Sequence, residues 1–185
     1  MIAILLGTSH GSAVPVACLG SHDARRRPGP GGWLTVPTIH FQVTTALPPD
    51  RVLGTLLDFS DRRPLLWPNI DTAHFRVHGQ GPDWADVTEG NVLAWERNRY
   101  EWNAEAGEVS VRALESDAWA PGSRWQYKLL PTPTGGTRIE VTAVRTPRTL
   151  RGRLIAMGLP IFGRRVLKSD MEKVLERLGR GPATG

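Results

Sequence analysis

The feature that most constrains this chain is an apolar stripe of helical period near its C-terminal end, between Thr149 and Leu178. Apolar residues recur along it at three- and four-residue steps: Leu150, Leu154, Met157, Ile161, Leu167, Met171, Val174, Leu175 and Leu178. This spacing predicts a long amphipathic helix. Pro160 lacks an amide donor and its ring crowds the preceding turn, so we expect a kink there. Such a helix cannot bury its stripe alone and needs a large surface to pack on.

The preceding hundred residues carry the alternating pattern of a β-sheet that can supply this surface. The first strand is predicted from Thr38 to Ala46, and two short helices follow between Pro48 and Pro68. Six further strands with short connections are predicted at residues 73–78, 84–89, 93–103, 108–116, 124–130 and 137–145. We therefore expect an α+β fold in which a seven-stranded antiparallel sheet has one polar face and one face covered by the C-terminal helix.

The net charge of +5 is concentrated at the C-terminal end of the chain. Residues 148–185 carry nine basic and three acidic side chains, whereas residues 36–147 carry eleven basic and fourteen acidic ones. A basic chain suggests nucleic-acid binding. However, the predicted sheet is acidic and shows no nucleic-acid motif, so we expect no such partner. The basic side chains of this helix form a solvated face or, alternatively, a surface that docks on lipid headgroups.

Composition also limits the kinds of site and the domain organisation. Cys18 is the only cysteine, so no intramolecular disulfide can form, and we expect no metal site and no cofactor. No apolar run approaches the length of a membrane span, so we expect a cytoplasmic protein. Residues 1–37 show no usable period and are expected to be a disordered or non-native tail, as are residues 181–185 at the other end. Residues 38–180 then form a single domain.

The hairpin around Ala104–Gly107 allows the inward face of the sheet to be predicted. With a four-residue loop, the cross-strand pairs are Trp102 with Val109, Tyr100 with Val111, and Asn98 with Ala113. Because the two valines belong in a core, the three residues opposite them face the interior too. A one-residue slip would bury two arginines instead, which costs more free energy.

The order of elements resembles the helix-grip fold of the START and birch-pollen-allergen-like superfamily (SRPBCC), and most of all its polyketide cyclase/dehydrase and lipid-transport type. The resemblance covers Thr38 to Gly179 and rests on that order and on the segments PPDRVLGTLLDFSDRRPLLWPNID, VTEGN, WERNRYEW and GGTRIEVTAVR. None of these segments is a catalytic signature. The resemblance implies a sheet curved around the long helix, with an apolar cavity between them. It also implies a hydrophobic small-molecule ligand, such as a lipid or polyketide, bound by a monomer or homodimer.

Within such a cavity, Tyr100 and Asn98 are the candidate catalytic residues. A tyrosine hydroxyl can donate to a ligand carbonyl or stabilise an enolate, as cyclisation requires. The alternative for Tyr100 is a core aromatic residue whose hydroxyl bonds to the backbone. The residues expected to contact the ligand are Trp67, Asn98, Tyr100, Trp102, Val111, Trp125, Tyr127, Val141 and Leu154. For the aromatic members, ordinary core packing is the alternative.

Three hypotheses for function remain open at this point, and each predicts a different interior. A ligand carrier predicts a nearly all-apolar cavity. An aromatase/cyclase or dehydratase predicts at least two convergent polar groups within hydrogen-bond reach in the cavity. A module that docks on a membrane or an acidic partner predicts little cavity and a continuous basic face built from Arg148, Arg151, Arg164, Arg165 and Lys168.

Overall fold

The computed structural model describes residues 38–158 and 163–179, and it confirms the predicted α+β fold. The strands are β1 Thr38–Thr45, β2 Arg76–Gln80, β3 Trp84–Asn91, β4 Ala94–Asn103, β5 Glu108–Ser116, β6 Arg124–Pro131 and β7 Thr137–Val144. The helices are α1 Pro49–Leu56, α2 Arg63–Leu66, α3 Leu150–Gly158 and α4 Arg164–Gly179, with one turn of 3-10 helix at Thr72–His74. Two short helices therefore follow the first strand, as predicted.

All seven strands belong to one antiparallel sheet in the order β1-β7-β6-β5-β4-β3-β2. Strands β2 to β7 form a meander in which each strand pairs with the next along the chain, and β1 adds to the sheet beside β7. The register of β4 on β5 is the predicted one, with Tyr100 opposite Val111 and Asn98 opposite Ala113. A register shift between Arg97 and Asn98 then brings Glu96 opposite Ser116.

The alternation of each strand determines which side chains face the core. Along β1, Ile39, Phe41 and Val43 are buried while the residues between them are exposed or half-buried. Along β4, three polar residues take the inward positions and are nearly inaccessible: Glu96, Asn98 and Tyr100. The sequence pattern thus places polar groups where an ordinary sheet would bury aliphatic side chains.

Helix α4 covers the inner face of the sheet in the manner predicted from its apolar stripe. Its buried residues are Met171, Val174 and Leu175, and the helix packs against β1. Leu167 and Leu178 are half-buried against the same core. This part of the stripe therefore buries its apolar side chains under the sheet.

Helix α3 departs from the prediction because the stripe residues Leu150, Leu154 and Met157 are 74%, 58% and 73% exposed. The prediction that they cover the sheet is wrong. Helix α3 instead turns Gly152 and Ala156 inward. A β-carbon on Gly152 would collide with the backbone carbonyl of Ala118, so the glycine permits a close approach that the leucine face would prevent.

The predicted kink at Pro160 lies outside the described residues, as do the predicted tails at residues 1–37 and 181–185. In the part of the chain that the structure describes, no helix is both long and apolar enough to cross a membrane.

Candidate functional site

A pocket of about 190 Å³ lies at the inner face of the sheet and is lined by residues of all four helices. Its apolar wall is formed by Ile39, Phe41, Leu56, Ile70, Val109, Trp119, Ile155, Leu167 and Met171. Apolar cavities of about 150 Å³ in proteins bind molecules such as benzene. The pocket therefore has room for a compact molecule of one or two rings.

Five of the nine predicted contact residues line this pocket: Trp67, Asn98, Tyr100, Trp125 and Tyr127. Strands β4 and β6 bring four of them together, and Trp67 follows the last residue of α2.

The other four predicted contact residues lie outside the lining. Val111 and Val141 are each 2% exposed and pack in the closed part of the core. Trp102 packs near Phe59, with 6.3 Å between ring centroids. Leu154 faces away from the pocket because α3 directs its small residues inward. The alternation of a strand identifies an inward side chain, but it does not separate the closed core from the wall of a pocket.

Arg63 is the centre of a buried polar cluster that the sequence did not reveal. It is 3% exposed, although α2, which it begins, is only one turn long. Its Nε donates to Glu89 Oε2 at 2.8 Å, and its Nη2 donates to the Tyr100 hydroxyl at 2.8 Å. Its Nη1 donates to the backbone carbonyl of Leu56 at 3.0 Å. The guanidinium carbon lies 4.8 Å from the ring centroid of Phe59, so the cation is also enclosed by aromatic surface.

Glu89 receives the remaining hydrogen bonds of this cluster. Its Oε1 accepts from the Tyr100 hydroxyl and, at 3.3 Å, from Asn98 Nδ2. The Tyr100 hydroxyl thus accepts from Arg63 and donates to Glu89. Its partner is a carboxylate, which differs from both sequence-based alternatives, a ligand carbonyl and a backbone group.

Burial shifts the pKa values of the titratable side chains around Glu89. Burial raises the pKa of the Tyr100 hydroxyl well above its usual value, and the nearby charge of Glu89 raises it further. Burial and Glu89 also raise the pKa of Tyr127. For Arg63, burial lowers the pKa but attraction to Glu89 and Tyr100 outweighs this, so its pKa is raised overall. The pocket therefore holds two protonated phenols and a protonated guanidinium.

Two fully buried polar atoms, Asn98 Oδ1 and Trp67 Nε1, have no hydrogen-bond partner within the described residues. Both belong to residues that contribute to the pocket lining. An unsatisfied buried polar atom typically costs about 1–3 kcal/mol. Most buried polar side-chain atoms of folded proteins have a hydrogen-bond partner, so these two atoms are exceptions.

A second ion pair lines another part of the pocket. Arg145 and Glu96 are 7% and 8% exposed and make two hydrogen bonds, one of them Arg145 Nη1 to Glu96 Oε2 at 3.1 Å. The guanidinium carbon of Arg145 lies 4.9 Å from the ring centroid of Trp119 and 4.8 Å from that of Trp125. Two aromatic rings and a carboxylate therefore hold this cation in place. No group of three or more potential metal-binding side chains occurs among residues 38–158 and 163–179.

Comparison with known proteins identifies solved structures that share this architecture. No family model and no curated protein sequence matches the chain. Among solved structures, it is similar to the Zhui aromatase/cyclase from Streptomyces sp. R1128, with a TM-score of 0.66 and 17% identity over 81% of this chain and 99% of that chain. The chain has the helix-grip fold of START and birch-pollen-allergen-like proteins.

Two further structures share the helix-grip fold. A START superfamily protein from Mycobacterium smegmatis has a TM-score of 0.61 and 11% identity, over 77% of this chain and 97% of that chain. Truncated norcoclaurine synthase from Thalictrum flavum has a TM-score of 0.60 and 14% identity, over 80% of this chain and 95% of that chain. At these identities the similarity shows the fold alone.

Within this helix-grip domain, sequence reasoning missed Arg63, Glu89 and Arg145. Each pairs with a residue 26 to 49 positions away in the chain, and no local pattern marks such a pairing. The alternation of β4 offered one signal, because it turns Glu96 to the same side as Asn98 and Tyr100, although the sequence suggested a position for Glu96 at the rim or past a bulge. A buried carboxylate requires a cation, so burial of Glu96 would have indicated a basic partner without identifying it.

Proposed function

We propose that this helix-grip domain binds a hydrophobic small molecule in the pocket between the sheet and the C-terminal helices. The observation that carries the proposal is the pocket itself, which has an apolar wall and contains Trp67 and Trp125 as surfaces for a planar ring. The shared fold with an aromatase/cyclase and a norcoclaurine synthase supports this class of ligand.

Two neighbouring residues of α3 provide a matched test of this proposal. Ile155 lines the pocket, whereas Leu154 is exposed outside it. We expect naphthalene, titrated by calorimetry, to bind one molecule per chain to the wild-type protein and to the Leu154→Trp variant. The Ile155→Trp variant fills the pocket and should lose binding by at least about tenfold. Equal affinities in the two variants would place the naphthalene elsewhere and refute the proposal.

A second candidate function is catalysis of the polyketide cyclase or dehydratase type. The specific observation in its favour is the convergence of Arg63, Glu89, Asn98 and Tyr100 at one side of the pocket. Glu89 would accept a proton from a carbon beside a ligand carbonyl, with Arg63 and Tyr100 holding the carboxylate in position. Tyr100 and Asn98, the candidates from the sequence, would then support Glu89 rather than act alone.

The catalytic proposal is tested by turnover of a candidate polyketide ketone. Glu89→Gln should abolish turnover while naphthalene binding persists, because the amide keeps the shape of the carboxylate but accepts no proton. Tyr100→Phe should lower turnover by removing one hydrogen bond to that carboxylate. Full turnover by both variants would exclude this cluster from the chemistry, and the matched control is Glu115→Gln on the outer face of the sheet.

We further propose that α3 can contact an anionic membrane surface. Its exposed stripe of Leu150, Leu154 and Met157 is flanked by the exposed residues Arg148 and Arg153. An apolar stripe beside cationic side chains is the pattern of a helix that lies in the interface of a bilayer.

A further inference from the structure

The face of the sheet that is turned away from the pocket carries a row of arginines. Arg99, Arg112 and Arg124 lie directly opposite one another on β4, β5 and β6. Adjacent strands are about 4.8 Å apart, so the three side chains begin within about 10 Å of each other. Like charges that lie directly opposite across strands are destabilising. An anion bound over this row would remove the repulsion.

Two of the three arginines are unpaired. Arg112 and Arg124 are exposed, and neither makes a hydrogen bond or an ion pair with any residue of 38–158 or 163–179. Arg99 is held in position, because its guanidinium carbon lies 3.8 Å from the ring centroid of Trp84 and its Nε lies 3.7 Å from Glu101 Oε1. The row therefore offers one fixed guanidinium and two that are available to a ligand.

A polar groove of about 470 Å³ lies next to the arginine row on the same face of the sheet. Ser110, Gln126 and Thr142 contribute to its lining and are aligned across β5, β6 and β7. Ser110 and Gln126 share the face of the row because each is two residues from one of its arginines, Arg112 and Arg124 respectively. Hydroxyl and amide side chains both donate and accept hydrogen bonds, as they must to bind the hydroxyls of a sugar.

The acidic side chains of the groove are already neutralised. Each of its three carboxylates has a basic side chain within 3.7 Å: Glu101 with Arg99, Glu108 with Lys128, and Glu140 with Arg138. These carboxylates can still accept hydrogen bonds from ligand hydroxyls. In the described part of the chain, Arg112 and Arg124 are thus the unpaired charges beside the groove, and their charge favours an anionic group at that end.

We propose that the arginine row and the groove form a second binding site, for a phosphorylated sugar. The phosphate monoester binds the arginine row, because its dianionic group has three oxygens that accept charge-assisted hydrogen bonds from guanidinium groups. The sugar lies in the groove, where its hydroxyls bond to Ser110, Gln126 and Thr142. The sheet separates this site from the apolar pocket, so the two sites take ligands of different chemistry.

Calorimetry with glucose 6-phosphate, inorganic phosphate and glucose tests this inference on the wild-type protein. Glucose 6-phosphate is the only one of the three that occupies both the arginine row and the groove. It should therefore bind at least about tenfold more tightly than either of the other two, which corresponds to about 1.4 kcal/mol. This comparison needs no variant and does not depend on the folding of one.

Two substitutions separate the two halves of the site. Arg112→Gln removes a guanidinium from the row and should weaken glucose 6-phosphate at least about tenfold. Ser110→Leu fills the groove beside the row and should reduce the affinity for glucose 6-phosphate to that for inorganic phosphate, which stays unchanged. The matched control is Arg76→Gln, which removes an exposed arginine from the edge strand β2 and should change the affinity by less than about twofold.

The opposite results would overturn the inference. If glucose 6-phosphate does not bind, there is no such site. Inorganic phosphate that binds as tightly as glucose 6-phosphate would refute the groove as a sugar site. Equal losses in Arg112→Gln and Arg76→Gln would show a general effect of surface charge and refute the arginine row. Naphthalene binding in the pocket is measured separately, so this inference and the proposed function fail independently.

Discussion

Tyr100 and Tyr127 are the only two tyrosines of the chain, and both line the pocket. Burial raises the pKa of each hydroxyl above its usual value of about 10. The fold therefore favours the protonated phenols. This contribution to stability is complete below pH of about 10, the unfolded pKa, and it is lost as the pH rises toward the folded values.

We accordingly expect no phenolate absorbance near pH 10 in the native protein. The absorbance should instead appear at higher pH, together with the loss of the circular dichroism of the sheet. An alkaline titration that follows both signals checks this. Phenolate formation near pH 10 with an unchanged dichroism spectrum would show that these hydroxyls are accessible, contrary to the buried cluster.

The pairing of Arg63 with Glu89 makes a second prediction for single residues. Glu89→Gln keeps the shape of the side chain but leaves the guanidinium buried without its charged partner, which should lower the free energy of unfolding by about 3–5 kcal/mol. The exposed pair of Lys128 with Glu108 is the matched control, and Glu108→Gln should cost less than about 1 kcal/mol. Urea unfolding of the two variants measures the difference. Similar small losses would mean that Arg63 is solvated.

The sequence predicted the positions of single residues where strand alternation determines them. It failed where a residue's position depends on pairing with a residue far away in the chain. The inward side of Asn98 and Tyr100 followed from a four-residue hairpin loop and the burial of two valines. The burial of Arg63 followed from nothing local, because its hydrogen-bonded side-chain partners lie on β3 and β4. The hydrogen bonds of Tyr100 were unpredictable for the same reason.

Among the elements, α3 is the one that sequence periodicity described incorrectly. The apolar stripe and the small-residue face of this helix both have helical period, and hydrophobicity favoured the stripe. The structure buries the small face because Gly152 lets the helix backbone approach Ala118 closely. Which face is buried depends on how closely the helix backbone can approach its neighbour, and the sequence period gives no information on that distance.

The close approach of α3 predicts opposite effects for two helical glycines. Gly152→Ala places a β-carbon against the Ala118 carbonyl, so the variant should be destabilised by about 1–3 kcal/mol. Gly54, in α1, has open space where a β-carbon would lie. Gly54→Ala should therefore stabilise the protein by about 0.5–1 kcal/mol through helix propensity. Thermal unfolding of both variants measures the signs. A stabilising Gly152→Ala would refute the packing of α3.

The exposed stripe of α3 carries the prediction for membrane contact. Wild-type protein should sediment with vesicles that contain phosphatidylglycerol and less with pure phosphatidylcholine vesicles. Leu154→Glu should abolish this, because it places an anion in the stripe. Val92→Glu alters another exposed apolar residue, on the β3–β4 turn, and should leave sedimentation unchanged. Equal losses in the two variants, or no sedimentation at all, would exclude α3 as a specific docking face.

For the whole molecule, the order of elements was predictable because each strand and turn carries its own local signal. Seven strands, two short helices and a terminal helical region follow from alternation, proline and glycine positions, and period. The interior was not predictable to the same depth. An all-apolar cavity was the expectation for a carrier, whereas the pocket contains two buried ion pairs. Those pairs depend on how elements that are distant in the chain meet, which no local sequence pattern records.

We propose that this domain holds one small molecule between its sheet and C-terminal helices. Native mass spectrometry of freshly purified wild-type and Ile155→Trp protein tests it most directly. We expect an adduct of one defined mass on the wild-type chain, released on unfolding and absent from the variant. An unmodified mass for both proteins, or the same adduct on both, would contradict it.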